Sequence, residues 1–171
     1  MNTMLFQSAN LNMRRFNLSD DAFIFELLNT PAWKQFIGDR NINSREDAVN
    51  YILNGPLTNY NKYGYGAWLV TLKDSQQPIG MCGLFKRDYL DKPDLGFAYL
   101  PGFEGQGLAY EASIASLTHI QENYDLDALY ATTTTDNLRS QRLLERCRFT
   151  RTGLVTTPES ETLLLYKLSL Q

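Results

Sequence analysis

Three glycines, Gly102, Gly105 and Gly107, fall between the strand-like run Asp94–Leu100 and a long helical run from Leu108 to about Tyr124. No other stretch so narrows what the chain can fold into. Glycine takes positive φ freely and carries no Cβ, so consecutive backbone N–H groups can converge on an anion. The helix that follows adds its positive dipole end and its unpaired first-turn amides. The expected guest is a phosphate or pyrophosphate, against the plainer reading of a tight turn. Two phosphate patterns fail on residue identity. A P-loop needs Lys and Ser/Thr after its last glycine, where this chain has Leu108 and Ala109. The dinucleotide fingerprint G-x-G-x-x-G runs in the opposite order to the G-x-x-G-x-G here. The downstream acids Asp125 and Asp127 also precede the next strand instead of ending it.

Around this loop the periodicity changes several times. Residues 9–16 alternate as a first strand, and Ser19-Asp20-Asp21 offers an N-cap for a helix carrying Phe23, Ile24, Leu27 and Leu28. Pro31 restarts a short helix closed by Gly38. Asn43 or Ser44 caps another that carries Ala48, Tyr51, Ile52 and Leu57. Tyr65–Lys73, Pro78–Arg87 and Asp94–Leu100 read as strands, as does the β-branched run Leu126–Thr135. A helix from Asn137 to Cys147 and two strands, near 149–156 and Glu161–Leu170, finish the chain. The pattern predicts an α+β (mixed α/β) fold with one parallel crossover.

Composition adds exclusions. The 171 residues are 43% hydrophobic and 20% charged, the profile of one globular domain spanning 1–171. A net charge of −3, from 16 basic and 19 acidic side chains, argues against a nucleic-acid partner and only faintly favours a cationic one. No polybasic run suits an anionic membrane, no segment approaches the length of a membrane helix, and the first twenty residues lack a leader-like apolar stretch. Cys82 and Cys147 have no metal-ligand spacing and are expected as free buried thiols of a cytoplasmic protein. His119 stands alone, so no His-rich metal site is expected.

The loop, extended to Glu104-Gly105-Gln106-Gly107-Leu108-Ala109-Tyr110-Glu111-Ala112, resembles the acyl-CoA pyrophosphate loop and helix of the GNAT N-acetyltransferase superfamily. Asn137-Leu138-Arg139-Ser140, with Leu143-Leu144-Glu145 and Phe149, resembles that superfamily's second motif. Met13-Arg14, Pro78-Ile79-Gly80, Asp94-Leu95-Gly96-Phe97 and Pro101 fall where the ribosomal-protein-acetylating (Rim-type) branch has similar residues. The resemblance runs from about residue 11 to 153.

That resemblance implies a central, mostly antiparallel twisted sheet of six to seven strands with a splayed parallel pair, flanked by about four helices. It implies that acetyl-CoA lies in the splay, its pantetheine arm on Phe97, Ala98, Tyr99 and Leu100. The pyrophosphate would rest on the amides of Glu104, Gly105, Gln106, Gly107, Leu108 and Ala109. Asn137 would meet the arm with Ser140 one turn on; as a residue type, Asn137 is also a good helix N-cap. The implied reaction is acetyl transfer to a primary amine, a protein N-terminus or a small molecule, by a monomer or homodimer without a metal.

Direct transfer needs a donor for the thioester oxygen, an acceptor for the ammonium proton and a donor for the departing thiolate. The tyrosine that many relatives use as the acid is Leu144 here, so Ser140 is the substitute, with a serine bonded to its own helix as the plainer reading. Asp94, Glu104, Asp39 and Glu46 are the candidate bases, and Glu111 is read as structural. Tyr99 and Tyr110 are candidates to line the acyl site. Arg148 replaces the family glycine before Phe149 and predicts a different helix ending.

Arg139, Arg142 and Arg146 share a helix face, near Arg148 and Arg151. A solvated face is the plain reading; the sharper one is that Arg142 neutralises the CoA 3′-phosphate. His119 is expected to pack on the sheet. Trp33, Phe36, Ile37, Tyr60, Tyr63 and Tyr65 cluster in the region expected to cover the acceptor. A non-catalytic acyl-CoA-binding or regulatory module is the rival reading; ATP and NAD are expected not to compete.

Overall fold

The computed structural model describes residues 3–171, so the first two residues of the expected 1–171 domain lie outside the described residues. Eight strands form one sheet in the order β1-β2-β3-β4-β5-β6-β8-β7. They are β1 (Phe6–Gln7), β2 (Leu11–Arg15), β3 (Ala67–Leu72), β4 (Pro78–Phe85), β5 (Asp94–Tyr99), β6 (Ala128–Thr133), β7 (Thr150–Thr156) and β8 (Thr162–Ser169). The strand beyond the six to seven expected is β1, two residues at the sheet edge. All neighbours pair antiparallel except β5 and β6.

The helices are α1 (Asp21–Leu28), α2 (Pro31–Phe36), α3 (Arg45–Ile52), α4 (Thr58–Tyr63), α5 (Leu108–Asn123) and α6 (Leu138–Arg146), more segments than the four or so expected. Asp20 holds the N-cap position of α1 without a side-chain cap bond; the capping bond comes one turn earlier, where Asn17 Oδ1 accepts the Ser19 amide at 2.9 Å at the start of the short turn Leu18–Asp20. Asp20 is occupied elsewhere: its carboxylate accepts both Arg14 terminal nitrogens (2.9 and 2.8 Å) and reaches back to the Asn17 amide. Ser44, not Asn43, caps α3. Pro56 does not end that helix, because a wide π-type turn over Leu53–Leu57 carries the chain into α4. The Leu53 carbonyl accepts the Thr58 hydroxyl at 2.6 Å.

The sheet divides two cores. Leu11, Trp68, Cys82, Leu84, Leu95, Leu129 and Leu144 pack under α5 and α6 on one face. Ile24, Leu27, Trp33, Ile52, Leu69 and Met81 pack under α1, α2 and α3 on the other. β3 contributes to both, so it is buried on both sides, as an internal strand with helices over each face should be. Cys82 and Cys147 are free, and burial raises both thiols to about 11.

Candidate active site

β5 and β6 touch at one register position, Asp94 opposite Tyr130, where the Tyr130 amide donates to the Pro93 carbonyl at 3.0 Å. Beyond it the strands diverge. Alternation along β5 then decides which amides face the opening. The Leu100 amide donates to Ile79 on the β4 side at 2.8 Å, so Ala98 and Gly96 point the same way. Phe97 and Tyr99 therefore turn their amides into the splay, with no strand to receive them. The four-residue expectation narrows accordingly: Phe97 and Tyr99 face the cleft with their backbone, while the amide of Leu100 is already spent.

At the mouth of the splay lies the glycine loop. Gly105 (φ +75°) and Gly107 (φ +78°) are left-handed, a conformation that costs other residues about 1–2 kcal/mol. A Cβ on either would meet nothing within 4 Å, so these glycines serve conformation and not clearance. Gly107 is the N-cap of the 16-residue helix α5 and supplies no side-chain cap. Among the described residues, the amides of Gly105 through Tyr110 donate to no backbone carbonyl, as expected for a loop and helix N-terminus that can bind an anion.

The opposite wall is α6. Asn137 Oδ1 caps it by accepting the Ser140 amide at 3.2 Å, while its side-chain amide stays free for a ligand. The Ser140 hydroxyl also has no protein partner among the described residues. Thr134 Oγ1, at the end of β6, is buried without a partner; sequence reading missed it because one threonine in Thr132-Thr133-Thr134-Thr135 carries no distinguishing signal. Arg139 pairs with Glu104 across the mouth, and the Arg146 guanidinium stacks 3.8 Å from the Tyr110 ring centroid. Arg142 is exposed and unpaired. Leu144 is only 1% exposed, so its position is filled by core packing.

Arg148 does not change the helix ending. It adopts φ +72° itself, and the bonds Arg148 N–H to Glu145 O and Phe149 N–H to Leu144 O (2.9 and 3.0 Å) close α6 as a glycine would.

Among the acids, Asp94 stands apart. It is 2% exposed, and burial pushes its carboxyl up to about 6 against the opposing pull of Arg87. Arg87 Nε lies 3.4 Å from its Oδ1, an ion pair without a hydrogen bond. Because Asp94 is paired across from Phe85, it faces the α1–α3 side of the sheet. Asp39 Oδ1 instead accepts the Asn41 amide at 2.8 Å, and Glu46 is exposed on α3. Glu111 binds Ser8 and both the backbone and side-chain amides of Asn10, a structural anchor.

Tyr99 sends its ring across Gly80, where a Cβ would come within 2.3 Å of it. Its hydroxyl lies beside Cys82 under α5, buried and unpartnered, with its pKa raised well above the ordinary value by burial. What Tyr99 offers the cleft is its backbone. His119 stacks on Phe6 (4.2 Å between ring centroids) and meets Trp68 edge-on. Trp33 and Tyr60 are core.

Two cavities open on the α1–α3 face. One of about 280 Å³ is lined by Arg40, Tyr51, Asn59, Phe85, Lys86 and Arg87 among others. A second of about 380 Å³ shares Arg40, Tyr51 and Gly55 with it. None of these cavity residues is apparent from the sequence as a site; the only signal is the Lys86-Arg87 pair at the end of a strand.

A family profile described as the acetyltransferase (GNAT) domain matches residues 10–150. Solved structures of similar fold include RimL, a ribosomal L7/L12 α-N-protein acetyltransferase in complex with coenzyme A (19% identity, TM-score 0.83, 98% of each chain). Another is a Salmonella typhimurium acetyltransferase that modifies the N-terminal serine of ribosomal protein L7/L12 (20% identity, TM-score 0.80, 96% of this chain and 97% of that one). A third is an acetyltransferase from Agrobacterium tumefaciens (21% identity, TM-score 0.81, 98% of this chain and 95% of that one). At these identities the likeness is one of fold. Among the described residues no helix is long and apolar enough to cross a membrane.

Proposed function

This chain belongs to the GNAT acetyltransferase family, and on that premise we propose that residues 1–171 form one catalytic domain. It transfers an acetyl group from acetyl-CoA to a primary amine by direct attack while both substrates are bound. The observation that carries this reading is the splay between β5 and β6, with the Phe97 and Tyr99 amides open to it and the loop amides open at its mouth. An amide-bearing arm satisfies the first set and a pyrophosphate the second.

In this reading the first free amide past the closed end, Phe97 N–H, holds the thioester oxygen as negative charge develops there. Asp94 takes the ammonium proton, directly or through one water; a carboxyl near 6 is ionised at neutral pH yet more basic than an ordinary aspartate. The amine nitrogen then bonds to the acetyl carbon, the carbon–sulfur bond breaks, and the proton the nitrogen sheds reaches the departing thiolate through the Ser140 hydroxyl, which gives one proton and takes another. Asn137 and Thr134 hold the arm, and Arg142 meets the 3′-phosphate. The buried thiols fit a cytoplasmic location. The names of two similar structures make a protein N-terminus the first acceptor class to screen, beside small-molecule amines.

The rival reading, a non-catalytic acyl-CoA-binding module, draws on one observation: Leu144 is sealed in the core where many relatives keep an acid. Calorimetric titration with acetyl-CoA, followed by thiol release against pooled amines and N-terminal peptides, separates the two. Binding with release supports the enzyme; binding without release across the whole screen supports the module.

A further inference from the structure

The cavity of about 280 Å³ has a charge composition unlike the rest of the chain. It is lined by three cations, Arg40, Lys86 and Arg87, and by no carboxylate, in a protein whose net charge is −3. These residues come from two separate segments: Arg40 from the link between α2 and α3, and Lys86 and Arg87 from the residues just after β4. Of the three, only Arg87 has a counter-ion among the described residues, Asp94, which lies outside the lining. Arg40 has no partner among the described residues. Lys86 Nζ meets only the Arg87 and Leu90 carbonyls (3.2 and 3.4 Å), which leave its charge in place. Arg87 spends Nε on Asp94, while its guanidinium is held over the Phe85 ring at 4.7 Å. Among the described residues its two terminal nitrogens have no acceptor. The one acid of the adjoining cavity, Asp47, already accepts the Asn43 amide at 2.9 Å.

Cations converging on one cavity repel each other unless an anion joins them. The Tyr51 hydroxyl lies in the field of both Arg40 and Arg87, and burial keeps it protonated, so it adds a neutral donor. Arg87 is therefore shared: it lines the cavity, and its Nε lies 3.4 Å from the candidate base. A planar guanidinium presented in this way suits a carboxylate.

We propose that the acceptor is an amine bearing a carboxylate about one guanidinium width from the reacting nitrogen, and that Arg40, Lys86 and Arg87 select it. This rests on the acetyl-transfer reading above and names its substrate class. The same chemistry occurs in a free amino acid, through its α-carboxylate, and in a peptide whose N-terminal residue is acidic.

The test compares matched pairs by thiol release: free L-amino acids against their α-amides, and tetrapeptide amides beginning with Asp against those beginning with Asn. The carboxylate member is expected to win by about tenfold or more in kcat/KM in one arm, which also identifies the source. In Arg40→Gln that ratio falls severalfold. Turnover with equal rates inside every pair overturns the inference and leaves acetyl transfer standing. Absence of thiol release with any amine overturns the enzyme reading instead. A binding measurement then still decides the recognition claim. With CoA present, N-acetyl-alanine should bind about tenfold more tightly than N-acetyl-alaninamide, or N-acetyl-aspartic acid α-amide more tightly than N-acetyl-asparagine α-amide, and Arg40→Gln should erase the difference. Equal binding inside both pairs, or no binding, overturns it.

Discussion

The two halves of the candidate site are built by different means. The proposed CoA side is largely local: one strand, one loop and one helix N-terminus, from Leu95 to Tyr110, offer backbone amides, and only Thr134, Asn137, Ser140 and Arg142 come from elsewhere in the chain. The acceptor side is assembled from Arg40, Tyr51, Lys86, Arg87 and Asp94, and its working groups are side chains brought together only by the sheet and the α1–α4 layer. A backbone site is insensitive to most substitutions that keep the chain's path. A side-chain site can be rewritten residue by residue. That contrast suits an enzyme fold that keeps one cosubstrate and changes the other.

The largest expected effect is on the acceptor side. Asp94→Asn should lower kcat/KM by about 10²–10³-fold, with CoA affinity little changed. Activity in the unaltered protein should fall as pH drops through about 6, as Asp94 takes up a proton. Arg87→Gln removes the group that holds the Asp94 carboxyl down, and so moves this acid limb to higher pH. The stability sign is opposite to that of an ordinary ion-paired aspartate. Asp94 is raised in the folded state, so its contribution is fully present below its unfolded pKa and is lost as pH rises through about 6. At pH 8, Asp94→Asn should therefore not lower Tm; a fall of several degrees would show that Asp94 is held for structure.

Smaller effects sharpen the CoA side. Leu144→Tyr, which puts back the family acid, should cost about 1–3 kcal/mol by overpacking a fully buried position, without a gain in turnover; thermal denaturation beside thiol release checks both. Arg142→Ala should weaken CoA by about fivefold to tenfold and leave dephospho-CoA unaffected, as read by calorimetry. Smallest is Arg148→Gly, which relieves a left-handed arginine and should add about 1 kcal/mol of stability with unaltered kinetics, as read by urea unfolding.

The same contrast explains what the sequence made legible. Gly105 and Gly107 announce themselves because only glycine takes their φ cheaply, and the helix after them begins where the apolar spacing begins. Asn137 was readable as a cap because its residue type suits that role, and it does cap α6; its ligand contact is implied by the family resemblance alone. Pro56 gives no sign in the sequence of the wide turn that absorbs its missing N–H, because tertiary packing and not local propensity makes that choice. The expected cap of α1 is right in place and not in kind: Asp20 sits at the N-cap, but Arg14 draws off its carboxylate and Asn17 makes the capping bond one turn earlier. Arg148 hid a glycine-like bend, since nothing in an arginine signals positive φ. Arg40 and Arg87 stand 47 positions apart in the chain, and no periodicity links them. The faint preference for a cationic partner, drawn from net charge, is opposed by the local field of the proposed acceptor cavity.

The central claim is that the splayed edge of β5 receives acetyl-CoA, and amide hydrogen exchange tests it most directly. Without ligand, Phe97 and Tyr99 should exchange quickly, while Gly96 and Ala98, turned toward β4, are protected. Saturating CoA should slow Phe97 and Tyr99 by about tenfold or more and leave Gly96 and Ala98 nearly unchanged. CoA that binds without slowing those two amides, or does not bind, would contradict the account.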